Sequence, residues 1–115
     1  MEQTALVFVN GRAYNEEQRR ELVNRCCVFA NQQGYRVAET IVNTKGAGDW
    51  LESALELAHR KDCSAFVVPS EWHIDNDPRR VLLSCRVVLL ASHEKVITPA
   101  NVHESPRIIH IGGKA

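Results

Sequence analysis

Asn10, Arg12, Tyr14, Lys45, Ser70, Glu71, Trp72, His73 and Arg79 are the side chains here from which a binding or reactive site can be built. The cations Arg12, Lys45 and Arg79 suit a compact anionic ligand, because guanidinium and ammonium both donate to phosphate or carboxylate oxygens. Ser70 is a potential nucleophile, but a serine hydroxyl needs an adjacent base and nothing in the sequence supplies one. Tyr14 and Trp72 are large aromatics beside charged groups, the combination that anchors a partner or stacks on a ligand. The alternative for Trp72 is structural: an indole folded back on the core as a lid.

Other constellations are weaker. His73 and Asp75 with His93, His103 or His110 would give imidazole and carboxylate ligands, yet their spacing matches no compact metal motif, and no metal is expected. His59 falls in the last turn of a helix, where it suits the dipole. The loop Asn43 to Gly48 contains Gly46-Ala47-Gly48, but Asp49 behind it opposes an anion and neither a dinucleotide fingerprint nor a P-loop is present. It reads as a strand-to-helix turn, and no cofactor is expected. Cys26, Cys27, Cys63 and Cys85 lack CxxC spacing and read as small buried hydrophobes.

The elements that must position these residues follow from pattern. Thr4 to Val9 is an apolar run stopped by Asn10-Gly11, a buried first strand and a turn. From Asn15 a helix begins with Glu16 and Glu17, carries Leu22, Val23, Cys26, Cys27, Phe29 and Ala30 at helical spacing, and stops at Gly34. Tyr35 to Val42 is a second strand. Asp49 caps a helix whose apolar face is Trp50, Leu51, Ala54, Leu55, Leu57 and Ala58, ending near Arg60-Lys61. Ser64 to Val68 is a third strand, and Asp75-Asn76-Asp77-Pro78 opens a short helix through about Cys85. Arg86 to Ser92 and Glu94 to Thr98 form an interrupted strand or a hairpin, and Arg107 to Ile111 is a last strand after the Pro99 to Pro106 loop. Strands alternating with helices predict an α/β fold with a mostly parallel sheet, flanked by helices. The residues named at the outset then gather at the C-terminal edge of that sheet.

The order and spacing of Leu6-Val7-Phe8-Val9-Asn10-Gly11-Arg12, Gln18, Leu22, Gly34-Tyr35-Arg36-Val37, Gly46-Ala47-Gly48 and Ala65-Phe66-Val67-Val68-Pro69-Ser70-Glu71-Trp72 resemble the catalytic domain of serine recombinases, the resolvases and invertases. The resemblance covers roughly residues 5 to 91 and implies a resolvase-like three-layer fold. In that family the first strand carries an aromatic, an arginine and the nucleophilic serine at every second position, which fall here on Phe8, Asn10 and Arg12. Arginine is no nucleophile. The family's second-strand aspartate falls on Asn43, an arginine falls near Glu52, the Asp-Arg pair falls on Glu71-Trp72, and a further catalytic arginine falls near Asp75. The cations that would stabilise a reacting phosphate are thus replaced by neutral or acidic groups. That family follows the domain with a long dimerising helix and a DNA-binding region, whereas Pro99, Pro106 and a terminal strand are expected to take that place here.

The totals agree with this. The chain has 115 residues, enough for one domain over residues 1–115 with a real core, and its basic and acidic residues balance at 14 each. Zero net charge disfavours stand-alone nucleic-acid binding. The apolar runs are too short to span a bilayer, and the first residues read as a strand and not a signal peptide, so a cytoplasmic location is expected. The expectation is a catalytically inactive recombinase-like domain serving as an interaction or regulatory module. Its alternatives are a small-ligand-binding domain or enzyme using the sheet edge, and a DNA-associated accessory factor working with a larger partner. A homodimer is expected through Arg107 to Ile111, with Ile109 or Ile111 buried against the mate.

Overall fold

Alternation along buried strands sorts the side chains into two cores, one on each side of a single sheet. A computed structural model describes residues 2–44 and 50–102. Within it the strands are β1 (Thr4–Asn10), β2 (Arg36–Asn43), β3 (Ala65–Val68), β4 (Val87–Leu90) and β5 (Lys95–Ile97), and the helices are α1 (Glu16–Gln32), α2 (Trp50–Arg60) and α3 (Pro78–Val81). The sheet order is β2-β1-β3-β4-β5. All neighbours run parallel except β4 and β5, which are antiparallel.

β1 is buried along Ala5 to Val9 because both of its faces are covered, as central parallel strands require. Leu6 and Phe8 face a core shared with Phe66, Val68, Val88 and Leu90 and closed by Leu51, Ala54, Leu55 and Ala58 of α2. Ala5, Val7 and Val9 face the opposite core, with Ala65, Val67 and Leu89, closed by Cys26, Phe29 and Ala30 of α1. The result is an α/β domain of helix, sheet and helix layers. Cys26, Cys63 and Cys85 are buried and Cys27 is half-buried, all as free thiols. Burial pushes the Cys26 and Cys85 thiols up to about 12, which keeps the reactive thiolate out of reach near neutrality.

The helix ends follow local chemistry. Asn15 and Gln18 cap α1 reciprocally: each side-chain oxygen accepts the other's backbone N–H, at 2.8 and 2.9 Å. At the far end Gly34 has φ +92°. There Tyr35 N–H bonds back to Ala30 C=O at 2.9 Å and Gly34 N–H to Asn31 C=O at 3.0 Å, a Schellman closure. α2 closes in the same way, but with Asp62 at φ 55° in the left-handed position and Cys63 N–H on Ala58 C=O at 2.9 Å.

Several expectations need correction. β1 ends at Asn10, and Gly11–Ala13 form a single 3-10 turn, so Arg12 does not continue the strand alternation of Phe8 and Asn10. The helix expected through Cys85 stops at Val81. Leu82 to Ser84 form turns in its place and Leu83 points to solvent, 87% exposed. A second 3-10 turn at Glu71–Ile74 was not expected. The two segments after Arg86 are a hairpin, β4 and β5 joined through a turn at Ala91–His93. Lys45, Asp49 and residues 107–111, expected to form a last strand with a dimer contact, lie outside the described residues. No described helix is long and apolar enough to cross a membrane.

Candidate functional site

The chain passes from β1 through α1 to β2 on one side, then through α2 to β3 on the other side of β1. The C-terminal ends of β1 and β3 are therefore where the strand order reverses, the place where open α/β sheets leave a crevice. Both ends run directly into 3-10 turns, and these turns build the site.

At the β1 end, Asn10 side-chain oxygen accepts from Arg12 N–H at a long 3.5 Å, and Tyr14 N–H bonds Gly11 C=O at 3.1 Å. Arg19, from the first turns of α1, donates through Nε to Gly11 C=O at 2.7 Å. The guanidinium arm lies so close that a Cβ at Gly11 would meet its Nε at 2.9 Å. Arg19 thus locks the turn that carries Arg12 and Tyr14 outward. The pattern did not single out Arg19, because it reads as one of the polar residues of an amphipathic helix.

At the β3 end, Ser70 precedes the turn and its carbonyl accepts from His73 N–H at 3.2 Å; its hydroxyl does not cap the turn. Asp75 and Asn76 are both left-handed, with φ 56° and 55°. Asn76 N–H reaches back to Glu71 C=O at 2.9 Å, which folds the segment tightly before Asp77 caps α3.

His73 joins the two ends. Its Nδ1 accepts the backbone N–H of Asn10 at 2.9 Å, across the reversal point. An acceptor at Nδ1 fixes the neutral tautomer with the proton on Nε2. The ring is only 2% exposed, and burial lowers its pKa from the ordinary histidine value to about 4. Nε2 is buried with no hydrogen-bond partner.

Aromatic rings enclose this histidine. Tyr14 lies parallel to His73, 1° between planes and 6.0 Å between centroids. Trp72 packs on it at 4.1 Å and 35°, and Tyr14 and Trp72 meet at 5.9 Å. His73 is the buried member of the trio, while Trp72 presents 38% of its surface to solvent. Trp72 is accordingly neither a buried lid nor a loose loop residue. It is an exposed ring with a rigid support.

Of the residues expected at the edge, Asn10, Tyr14, Trp72 and His73 come together in direct contact. Arg12 stands exposed in the adjoining turn and Ser70 at the start of the other. Glu71 turns toward the hairpin side, where it lines a small cavity with Pro78, Lys95, Ile97, Asn101 and Val102. Arg79 is exposed on α3, outside the ring cluster. Asn43 ends β2 in register with Asn10 and is buried, so the edge carries a polar residue that its type alone did not mark as buried. No group of three or more His, Cys, Asp or Glu placed to hold a metal ion occurs among the described residues.

This geometry bears on chemistry. Neutral imidazole has one lone pair free to take a proton, and in His73 the Asn10 N–H occupies it. His73 is therefore not placed to activate Ser70, although only two residues separate them. Its observed work is to tie two strand ends and carry the indole. No protein-family model, curated protein or solved structure matches the chain.

Proposed function

We propose that the chain is a non-catalytic relative of the serine-recombinase domain that acts as an interaction or regulatory module, with Trp72 and Tyr14 as the anchor of its binding edge. The observation that carries this reading is the exposed Trp72 ring held at 4.1 Å on a buried, hydrogen-bonded His73. A rigid aromatic loses little conformational entropy when it is covered, and such residues dominate binding energy at interfaces. The absence of a nucleophile at position 12 and the committed lone pair of His73 support the loss of phosphoryl-transfer chemistry. The parallel β2-β1-β3-β4 arrangement with an antiparallel β5 supports a scaffold of the resolvase kind.

The test has two arms. Incubation with supercoiled DNA followed by denaturing electrophoresis is expected to yield neither nicks nor a covalent adduct, and an adduct through Ser70 would contradict the reading. Affinity capture from the source cell with wild-type chain, Trp72→Ala and Val28→Ala as baits is expected to lose its partner only with Trp72→Ala. Equal capture by all three would remove the edge from the account.

A compact anionic ligand at the same edge is the second reading, favoured by the site's position at the reversal of strand order with Arg12 beside it. Titration with inorganic phosphate or a nucleotide while following tryptophan fluorescence separates the two. A saturable change abolished by Arg12→Ala supports the ligand.

A further inference from the structure

We infer that the face formed by α2 and the turns after α3 is a self-association surface, taking a second copy of this chain with the two α2 helices antiparallel. The cavity at this face shares no lining residue with the aromatic cluster, and self-association through it does not depend on the function proposed for that edge.

Leu83 is the outstanding residue of this face. Its side chain is the most exposed of the large hydrophobics described, at 87%. It borders an open cavity of about 520 Å³ whose apolar floor is Leu55 and whose rim is charged. A second depression of about 500 Å³ continues from it past His59, Leu83 and Ser84 toward Cys63 and Arg86. An exposed leucine beside a concave apolar floor is a knob next to a hole. In a two-fold pair each knob can enter the other's hole, because an isologous interface uses the same patch twice.

The charges name the occupant. Along α2 the cavity is lined by Glu52, Leu55, Glu56, His59 and Arg60, spaced three and four apart and so on one stripe. The acids occupy its N-terminal half and the arginine its C-terminal end. A parallel neighbour would set like against like. An antiparallel copy whose two-fold axis passes between Glu56 and His59 sets Glu56 against the partner's Arg60, twice, and also opposes the two helix dipoles. Glu52 is already engaged by Arg80 at 2.7 Å, a bridge that joins α2 to α3 and firms the rim. The stripe is therefore complementary to itself in one orientation only, which selects a second copy over a partner of uniform charge.

Sedimentation velocity on the full chain over a concentration series tests this, with circular dichroism melting to confirm that each variant folds. The wild type is expected to show a reversible monomer–dimer equilibrium, and Leu83→Asp to weaken it by about tenfold or more. Glu56→Arg and Arg60→Glu are each expected to weaken it by about threefold, as exposed ion pairs do. Mixed one to one, those two variants should pair with each other at close to wild-type affinity, since their charges then match across the axis. A wild type that stays monomeric at roughly 0.2 mM, a dimer indifferent to Leu83→Asp, or a mixture no tighter than its components would each overturn the proposal. If Leu83→Asp fails to fold, Leu83→Ser takes its place with the same expected direction.

Discussion

The C-terminal edge of the sheet and the α2–α3 face are made of opposite materials. At the edge, a buried histidine bonds across two strand ends and three rings pack on one another. On the α2–α3 face, an exposed leucine stands over a shallow floor among surface charges. The difference separates two kinds of surface. The edge is organised before anything binds, so changing it should cost stability. The exposed Leu83 of the face contributes little to the fold, so changing it should cost association alone.

The largest expected effect is therefore at the edge. His73→Ala removes a buried ring, opens a void beneath Tyr14 and Trp72, and leaves the Asn10 N–H without its acceptor, a loss of about 3 kcal/mol. Urea unfolding measures it, and a loss below about 1 kcal/mol would mean that the ring cluster does not hold the strand ends together.

The same residue should make stability depend on pH. Its folded-state pKa, about 4, lies below the ordinary value of 6.5, so in acid the unfolded chain takes up the proton first. The contribution is complete above about pH 6.5 and is lost as the pH falls toward 4. The wild type should lose about 2 kcal/mol more than His73→Gln between pH 7 and pH 4.5. Parallel losses in the two proteins would break the comparison at its most specific point.

How far these surfaces were legible in the sequence depends on the range of the interactions that form them. Apolar runs such as Ala65-Phe66-Val67-Val68 announce buried strands, and Asn15 with Gln18 and Gly34 announces the two ends of α1, because each signal is local. The 3-10 turns at Gly11–Ala13 and Glu71–Ile74 leave no periodic trace, since one turn of helix is too short to have a face. The start signal Asp77-Pro78 reads as a helix running to about Cys85, yet the helix ends at Val81 and the chain turns Leu83 outward. His73 and Tyr14 were visible as candidates by type. That His73 spends its lone pair on the backbone of Asn10, 63 residues away, is a product of topology that spacing alone does not show.

Smaller effects sharpen the contrast. Gly34→Val should destabilise by about 1 kcal/mol, because φ +92° strains a β-branched side chain even though a Cβ there meets nothing within 4 Å. The cost is one of backbone conformation, and an unchanged melting temperature would contradict it. Leu83→Asp should leave the unfolding free energy of the monomer, measured at low concentration, within about 0.5 kcal/mol of the wild type. A larger loss would mean that Leu83 belongs to the fold.

The central claim is that the sheet edge is fixed around His73, which is a neutral support and not a base. Nitrogen NMR of the imidazole rings across a pH series tests it most directly. The account predicts the Nε2–H tautomer for His73, with Nδ1 accepting from Asn10, and no protonation until the pH approaches about 4. A His73 ring that titrates near 6.5, or that carries its proton on Nδ1, would contradict it.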